Sequence, residues 1–283
     1  MDWDIAIGRA IGFDCSIHIR TDIATDIHRH IEIEIPRHMH CAVQRAPVME
    51  VFVAVIAVAN PKGGSGKTTL VMVLAQVLVE HGGRVAVIDA DPNGIIARWA
   101  EQRESEGREV PFTVVAGPKE AEMVGLVSRL SAEHQFVLID LEGTASRIMS
   151  RAFARSNLVV IPFNPSPIDA RLAADAVQLV DEESEALERQ IDYRLVCSRA
   201  PAAVVSRSAK RIFAAIDDAQ LPMLPASLVE RAAYRDIFER ALTLSELEEG
   251  STSGLKQARL NAEELAAAVV EALREVAKEK VNA

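Results

Sequence analysis

Aromatic residues make up only 4% of this 283-residue chain, cysteine occurs three times, and no lysine stands in the first 48 residues. Cys15, Cys41 and Cys197 are odd in number, widely spaced and without a C-x-x-C pair. That excludes a disulfide framework and suits a reducing, cytoplasmic compartment. Long hydrophobic runs are also missing. Val51 to Ala59, the longest apolar stretch near the start, is too short to span a bilayer and follows acidic Glu50 rather than a basic n-region. Repeats and low-complexity tracts are absent, and the short EEGSTSG at 248–254 is the one linker-like segment. What is present is aliphatic: 49% hydrophobic and 25% charged residues describe a chain that buries a large core, as one big domain or two small ones. The net charge of −10, from 41 acidic and 31 basic residues, repels bare nucleic acid and anionic lipid, so any DNA contact must come from a local patch.

Residues 1–48 form a separate compositional unit, with ten isoleucines and five of the seven histidines. Ile31, Ile33 and Ile35 step by two while Ile19, Ile23, Ile27 and Ile31 step by four, so neither strand nor helix periodicity wins. His28, His30, His38, His40 and Cys41 are of metal-ligating types but lack finger-like spacing. The favoured reading is an N-terminal extension, poorly ordered or not part of the native protein, because Met49 immediately precedes the first convincing strand. A native protein shown by N-terminal sequencing to begin at Met1 would refute it.

From residue 49 on, short β-branched runs alternate with helical patterns, the signature of a doubly wound α/β fold with a mostly parallel sheet. Strands are expected at 51–59, 84–89, 112–116, 136–140, 158–163 and 193–198, covered on both faces because they are almost continuously apolar. Helices are expected near 67–81, 95–106, 118–131, 144–155, 167–189, 205–218, 229–240 and 256–280.

Between the first strand and helix stands NPKGGSGKTT, Asn60 to Thr69. Gly63, Gly64 and Gly66 let the backbone turn its N–H groups onto an anion, and the helix N-terminus behind them adds partial positive charge. With Ser65, Lys67, Thr68 and Thr69 they make a phosphate cradle in which Lys67 reaches the β- and γ-phosphates and the Thr68 hydroxyl is placed for Mg²⁺.

Pro61 stands where the general P-loop pattern has glycine, and a second lysine, Lys62, lies inside the loop. KGGSGKTT therefore resembles the deviant Walker A motif of the ParA/MinD family of P-loop ATPases. The resemblance implies an ATP-sandwich homodimer in which Lys62 acts on the partner's nucleotide, leaving monomers poor ATPases. DADPN resembles the family's D-x-D-P-Q segment: by that match Asp91 orients the attacking water and Asp89 supports the Mg²⁺ shell, while a turn or capping role for Asp91 to Gly94 is the alternative. FVLID ends in Asp140, matching a Walker B aspartate for Mg²⁺, although Leu141, Glu142 and Gly143 replace the prolines that many relatives have there. The segments 156–177 and 224–248 extend the resemblance over most of residues 50–245.

Arg194, Arg199, Arg207, Lys210 and Arg211 fall in a stretch with no acidic residue. Arg207, Lys210 and Arg211 share a helical face, and Arg231 with Arg235 repeats that spacing in the next helix. This patch is the candidate for non-specific DNA binding through phosphates; an ordinary solvated face is the alternative. The C-terminal tail carries Leu265, Val269, Leu273 and Val276 on one stripe but mixes glutamates among its cations, which favours packing over membrane binding. The resemblance as a whole implies a slow, partner-stimulated Mg²⁺-ATPase, nucleoid-associated, driving plasmid or chromosome partition with a ParB-like activator. One alternative is the ParA-like protein assisting T-DNA transfer, with a relaxosome-type partner. Another is a protein-positioning scaffold without DNA contact.

Overall fold

The computed structural model describes residues 53–143, 146–200 and 206–282. The reading of residues 1–48 and their histidines lies outside them. Among the described residues seven strands form one all-parallel sheet: β1 (Ala54–Val58), β2 (Val85–Asp89), β3 (Thr113–Ala116), β4 (Phe136–Asp140), β5 (Leu158–Phe163), β6 (Tyr193–Ala200) and β7 (Leu228–Val229). Their order is β3-β2-β4-β1-β5-β6-β7. Chain order reverses around β1, with β4 on one side of it and β5 on the other, which makes the carboxyl end of β1 the place where such a sheet opens a ligand crevice.

Eight helices cover the sheet among the described residues: α1 (Lys67–Glu80), α2 (Ile95–Ser105), α3 (Met123–Glu133), α4 (Arg147–Phe153), α5 (Pro167–Ala186), α6 (Arg207–Asp218), α7 (Ala233–Glu239) and α8 (Leu255–Asn282). The period-2 alternation of β1 assigns its side chains to two cores. Ala54, Ile56 and Val58 join α1, α2, α7 and α8 on one face, while Val55, Ala57 and Ala59 join α3, α4 and α5 on the other. α1 is buried almost all round because α8 packs over it. Leu265, Val269 and Leu273 of α8 are in that core and Val276 is buried as well, so the stripe packs as the sequence predicts. Ser146, Ser166 and Ser206 begin α4, α5 and α6, each accepting a backbone N–H three residues on.

Several expectations need correction. Among the described residues β3 is the sheet edge, with Thr113 and Ala116 exposed, because no described strand pairs beyond it; an edge strand need not be covered on both faces. The 118–131 helix starts later, after a 3₁₀ turn at Glu120–Glu122, and runs to Glu133. The 229–240 helix divides into β7 and the shorter α7. β6 runs two residues past 198, to Ala200, with Arg199 at φ 50° where its register against β7 shifts.

Candidate phosphate-binding site

Parallel register sets the site. Asp140 at the end of β4 is the Cα partner of both Val58 in β1 and Asp89 in β2, so two carboxylates stand side by side next to the loop that leaves β1. Both aspartates are fully buried. Asp89 Oδ2 accepts the Ala97 N–H at 2.9 Å, tying β2 to the first turn of α2, while its Oδ1 has no hydrogen-bond partner among the described residues. Neither oxygen of Asp140 is matched by a well-formed hydrogen bond, though the Thr68 hydroxyl lies beside it. Burial pushes the Asp140 carboxyl up to about 7, opposed by Thr68 and Lys67 and reinforced by the charge of Asp89. Asp89 is raised by burial as well.

The loop is held open by its own polar groups. Asn60 donates its amide to the Pro162 carbonyl at 2.8 Å and accepts the Lys62 N–H at 2.9 Å. Lys67 is buried and curls back, donating Nζ to the carbonyls of Asn60 and Lys62 at 3.2 and 3.0 Å. Burial lowers its pKa, against the charges of Asp140, Asp91 and Glu142. Gly64 and Gly66 sit at φ 76° and 96°, which L side chains rarely adopt. Gly63 and Gly64 are exposed with open space where a Cβ would be, as a loop that closes on an anion requires.

Asp91 lies beyond β2, half-exposed, and its Oδ1 accepts the Asn93 N–H at 2.8 Å while its carbonyl accepts the Gly94 N–H. The turn role is therefore present, and it leaves Oδ2 available. Among the described residues no cluster of three or more His, Cys, Asp or Glu side chains forms a metal site. A buried carboxylate pair beside a threonine hydroxyl suits a cation that takes its remaining ligands from water and phosphate.

Three contributors were not singled out from sequence. A Cβ on Gly143 would approach Gly63 N to 2.8 Å, so the turn after β4 touches the loop closely enough to require glycine. Its signal was there, as the departure after Asp140. Ser198 Oγ donates to the Ser65 carbonyl at 2.5 Å, fastening the loop to the end of β6. Asp169, on α5, accepts a hydrogen bond from Lys62 Nζ at 2.7 Å. Both lie more than 100 residues from their partners, beyond the reach of any local pattern.

The basic residues are only partly assembled. Arg207, Lys210 and Arg211 are exposed on α6, opposite the packed Ala209 and Ile212, as the spacing predicts. Arg231, however, precedes α7 instead of lying on it, and is half-buried, because β7 occupies the start of the expected helix. It shares no helical face with Arg235, whose guanidinium faces Glu230 at 3.7 Å. Arg194 lies in β6 and is paired with Glu275 of α8 at 3.1 Å, so the acid-free stretch in sequence is not acid-free in space.

The family model described as VirC1 protein matches residues 53–283. Protein ParA of Rhizobium radiobacter is 33% identical over 223 residues, 78% of this chain and 98% of that protein. Protein virC1 of the same organism is 29% identical over 184 residues, 64% of this chain and 78% of that protein. The ATP complex of a variant McdA from Cyanothece shares the fold, with a TM-score of 0.62 and 18% identity over 77% of this chain and 96% of that one. The chain belongs to the VirC1 family of ParA/MinD-like P-loop ATPases.

Proposed function

We propose that the protein is a Mg²⁺-dependent ATPase that pairs across bound ATP, binds DNA without sequence preference in that state, and drives partition of a replicon. The observation that carries this is the loop with two lysines, Lys62 and Lys67, set against the buried, unmatched carboxylate of Asp140. ATP fits the open glycine cradle, and a likeness to an ATP complex supports it. Mg²⁺ fits the excess of negative charge at Asp89, Asp91, Asp140 and Glu142, and when bound it would neutralise charge developing on the phosphates. Thr68 and Asp140 are its proposed holders, with Asp89 supporting the shell.

Gly63, Gly64, Ser65 and Gly66 present backbone N–H groups to the phosphates, with Thr68 and Thr69 opening α1 behind them. Lys67 exchanges its two carbonyl acceptors for phosphate oxygens, and Asp91 uses Oδ2 to orient the attacking water. Lys62 acts on the partner's nucleotide as a cation supplied in trans. Arg207, Lys210 and Arg211 form the DNA contact, reduced from the larger patch by the burial of Arg231 and the pairing of Arg194 and Arg235. An activator of ParB-like type resets the dimer by stimulating hydrolysis, at the nucleoid.

A second reading, assistance to DNA transfer with a relaxosome-type partner, rests on the resemblance of the stretch after Asp140 and of SNLVVIP at 156–162 to the ParA-like protein of T-DNA transfer. A ParB-like gene beside this one supports partition, and a relaxase cluster supports transfer. The test of the shared core is sedimentation with Mg²⁺-ATP: dimers with ATP and monomers with ADP are expected, and monomers throughout would overturn the reading.

A further inference from the structure

Lys62 is tied at three points to its own chain. Its N–H is accepted by Asn60 Oδ1, its carbonyl accepts Lys67 Nζ, and its ammonium donates to Asp169 Oδ1 at 2.7 Å. The two ends of that ion pair are unlike. The Lys62 side chain is 36% exposed, on a loop whose neighbours Gly63 and Gly64 face solvent, whereas the Asp169 side chain is 8% exposed. Asp169 is also fixed by its surroundings: Ser166 Oγ caps the Asp169 N–H and donates to Oδ2, and the carboxylate sits in the first turn of α5, where the helix dipole favours negative charge. Burial alone would raise its pKa, but the hydrogen bonds from Lys62 and Ser166 and the charge of Lys62 outweigh it and hold the carboxyl low.

An ammonium bound to its own protomer cannot at the same time reach a partner's phosphates. We infer that Asp169 is a positioning residue that retains Lys62 in its own protomer, so that breaking the Lys62–Asp169 pair is a step of ATP-dependent pairing and sets its threshold. The inference rests on the dimer proposed above. When Lys62 leaves, the carboxylate keeps the Ser166 hydroxyl and its place in the first turn of α5, so it is not stranded. The ammonium exchanges one anionic oxygen for another. The pair is thus poised to exchange, not built to be permanent.

Sedimentation of wild type, Asp169→Asn and Asp169→Glu across an ATP titration tests this. Asp169→Asn, which keeps the shape and the cap, should reach half-maximal dimer at an ATP concentration about 3- to 10-fold lower than wild type. Asp169→Glu should lie between the two. A double-mutant cycle with Lys62→Ala and Asp169→Asn, read by urea unfolding of the nucleotide-free protein, should show coupling; a residue that only caps α5 would give equal effects in both backgrounds. A midpoint unchanged or raised in Asp169→Asn, or zero coupling, overturns the inference. Wild type that never dimerises while the coupling is intact overturns the dimer instead, which separates the two failures.

Discussion

At the scale of single residues the carboxylates around the loop outnumber the Lys67 ammonium they face. Among the described residues Lys67 donates only to backbone carbonyls, and it is surrounded by the fields of Asp140, Asp91 and Glu142. Lys67→Ala should abolish ATP binding, and calorimetry showing an unchanged affinity would refute the phosphate assignment. Asp91 is different, because its one engaged oxygen shapes a turn that other groups also hold. Asp91→Ala should leave binding and dimerisation intact while turnover collapses; hydrolysis at the parent rate removes it from its role. Gly143→Ala forces a Cβ to 2.8 Å from Gly63 N, so the loop must shift. Weaker ATP binding with an unchanged melting temperature is the expected result.

At the scale of elements, the bridge from α2 to the segment after α7 carries a pH signature. Arg103 lies 5.0 Å from the Trp99 ring and donates to the Ala241 carbonyl and to Glu246, whose carboxyl it holds down to about 2 from 4.5. A depressed folded value means stability that is present above the unfolded value and lost as pH falls from about 4.5 through about 2. Because Glu246 is partly exposed, about 0.5–1 kcal/mol is at stake. The stability gap between wild type and Glu246→Gln, read by denaturant unfolding, should close across that window. Elements also show what local pattern can reveal. β4 and β5 match their expected bounds because a buried parallel strand is an almost continuous apolar run, broken in β4 only by the terminal Asp140. β7 has two residues and no such run, so the Arg231–Arg235 spacing looked helical although only Arg235 is on α7. The nucleotide loop was legible because its chemistry is contiguous, whereas Asp169, Ser198 and the Arg194–Glu275 pair are products of tertiary assembly.

For the whole molecule, the charge of −10 and the aliphatic core act on different things. The core makes α8 part of the domain: Leu265 is fully buried, and Leu265→Ala should cost about 2–5 kcal/mol by denaturant unfolding. The charge makes a local patch necessary for the proposed DNA contact, and on α6 Arg207, Lys210 and Arg211 enter no ion pair with another described residue. Among the described residues no helix is long and apolar enough to cross a membrane. Hydrolysis of Mg²⁺-ATP, measured with and without non-specific duplex DNA, tests the account most directly. The rate should be low alone and rise with DNA, and the rise should vanish when Arg207, Lys210 and Arg211 are reversed in charge. A rate indifferent to DNA in the wild type would contradict it and leave a positioning scaffold in its place.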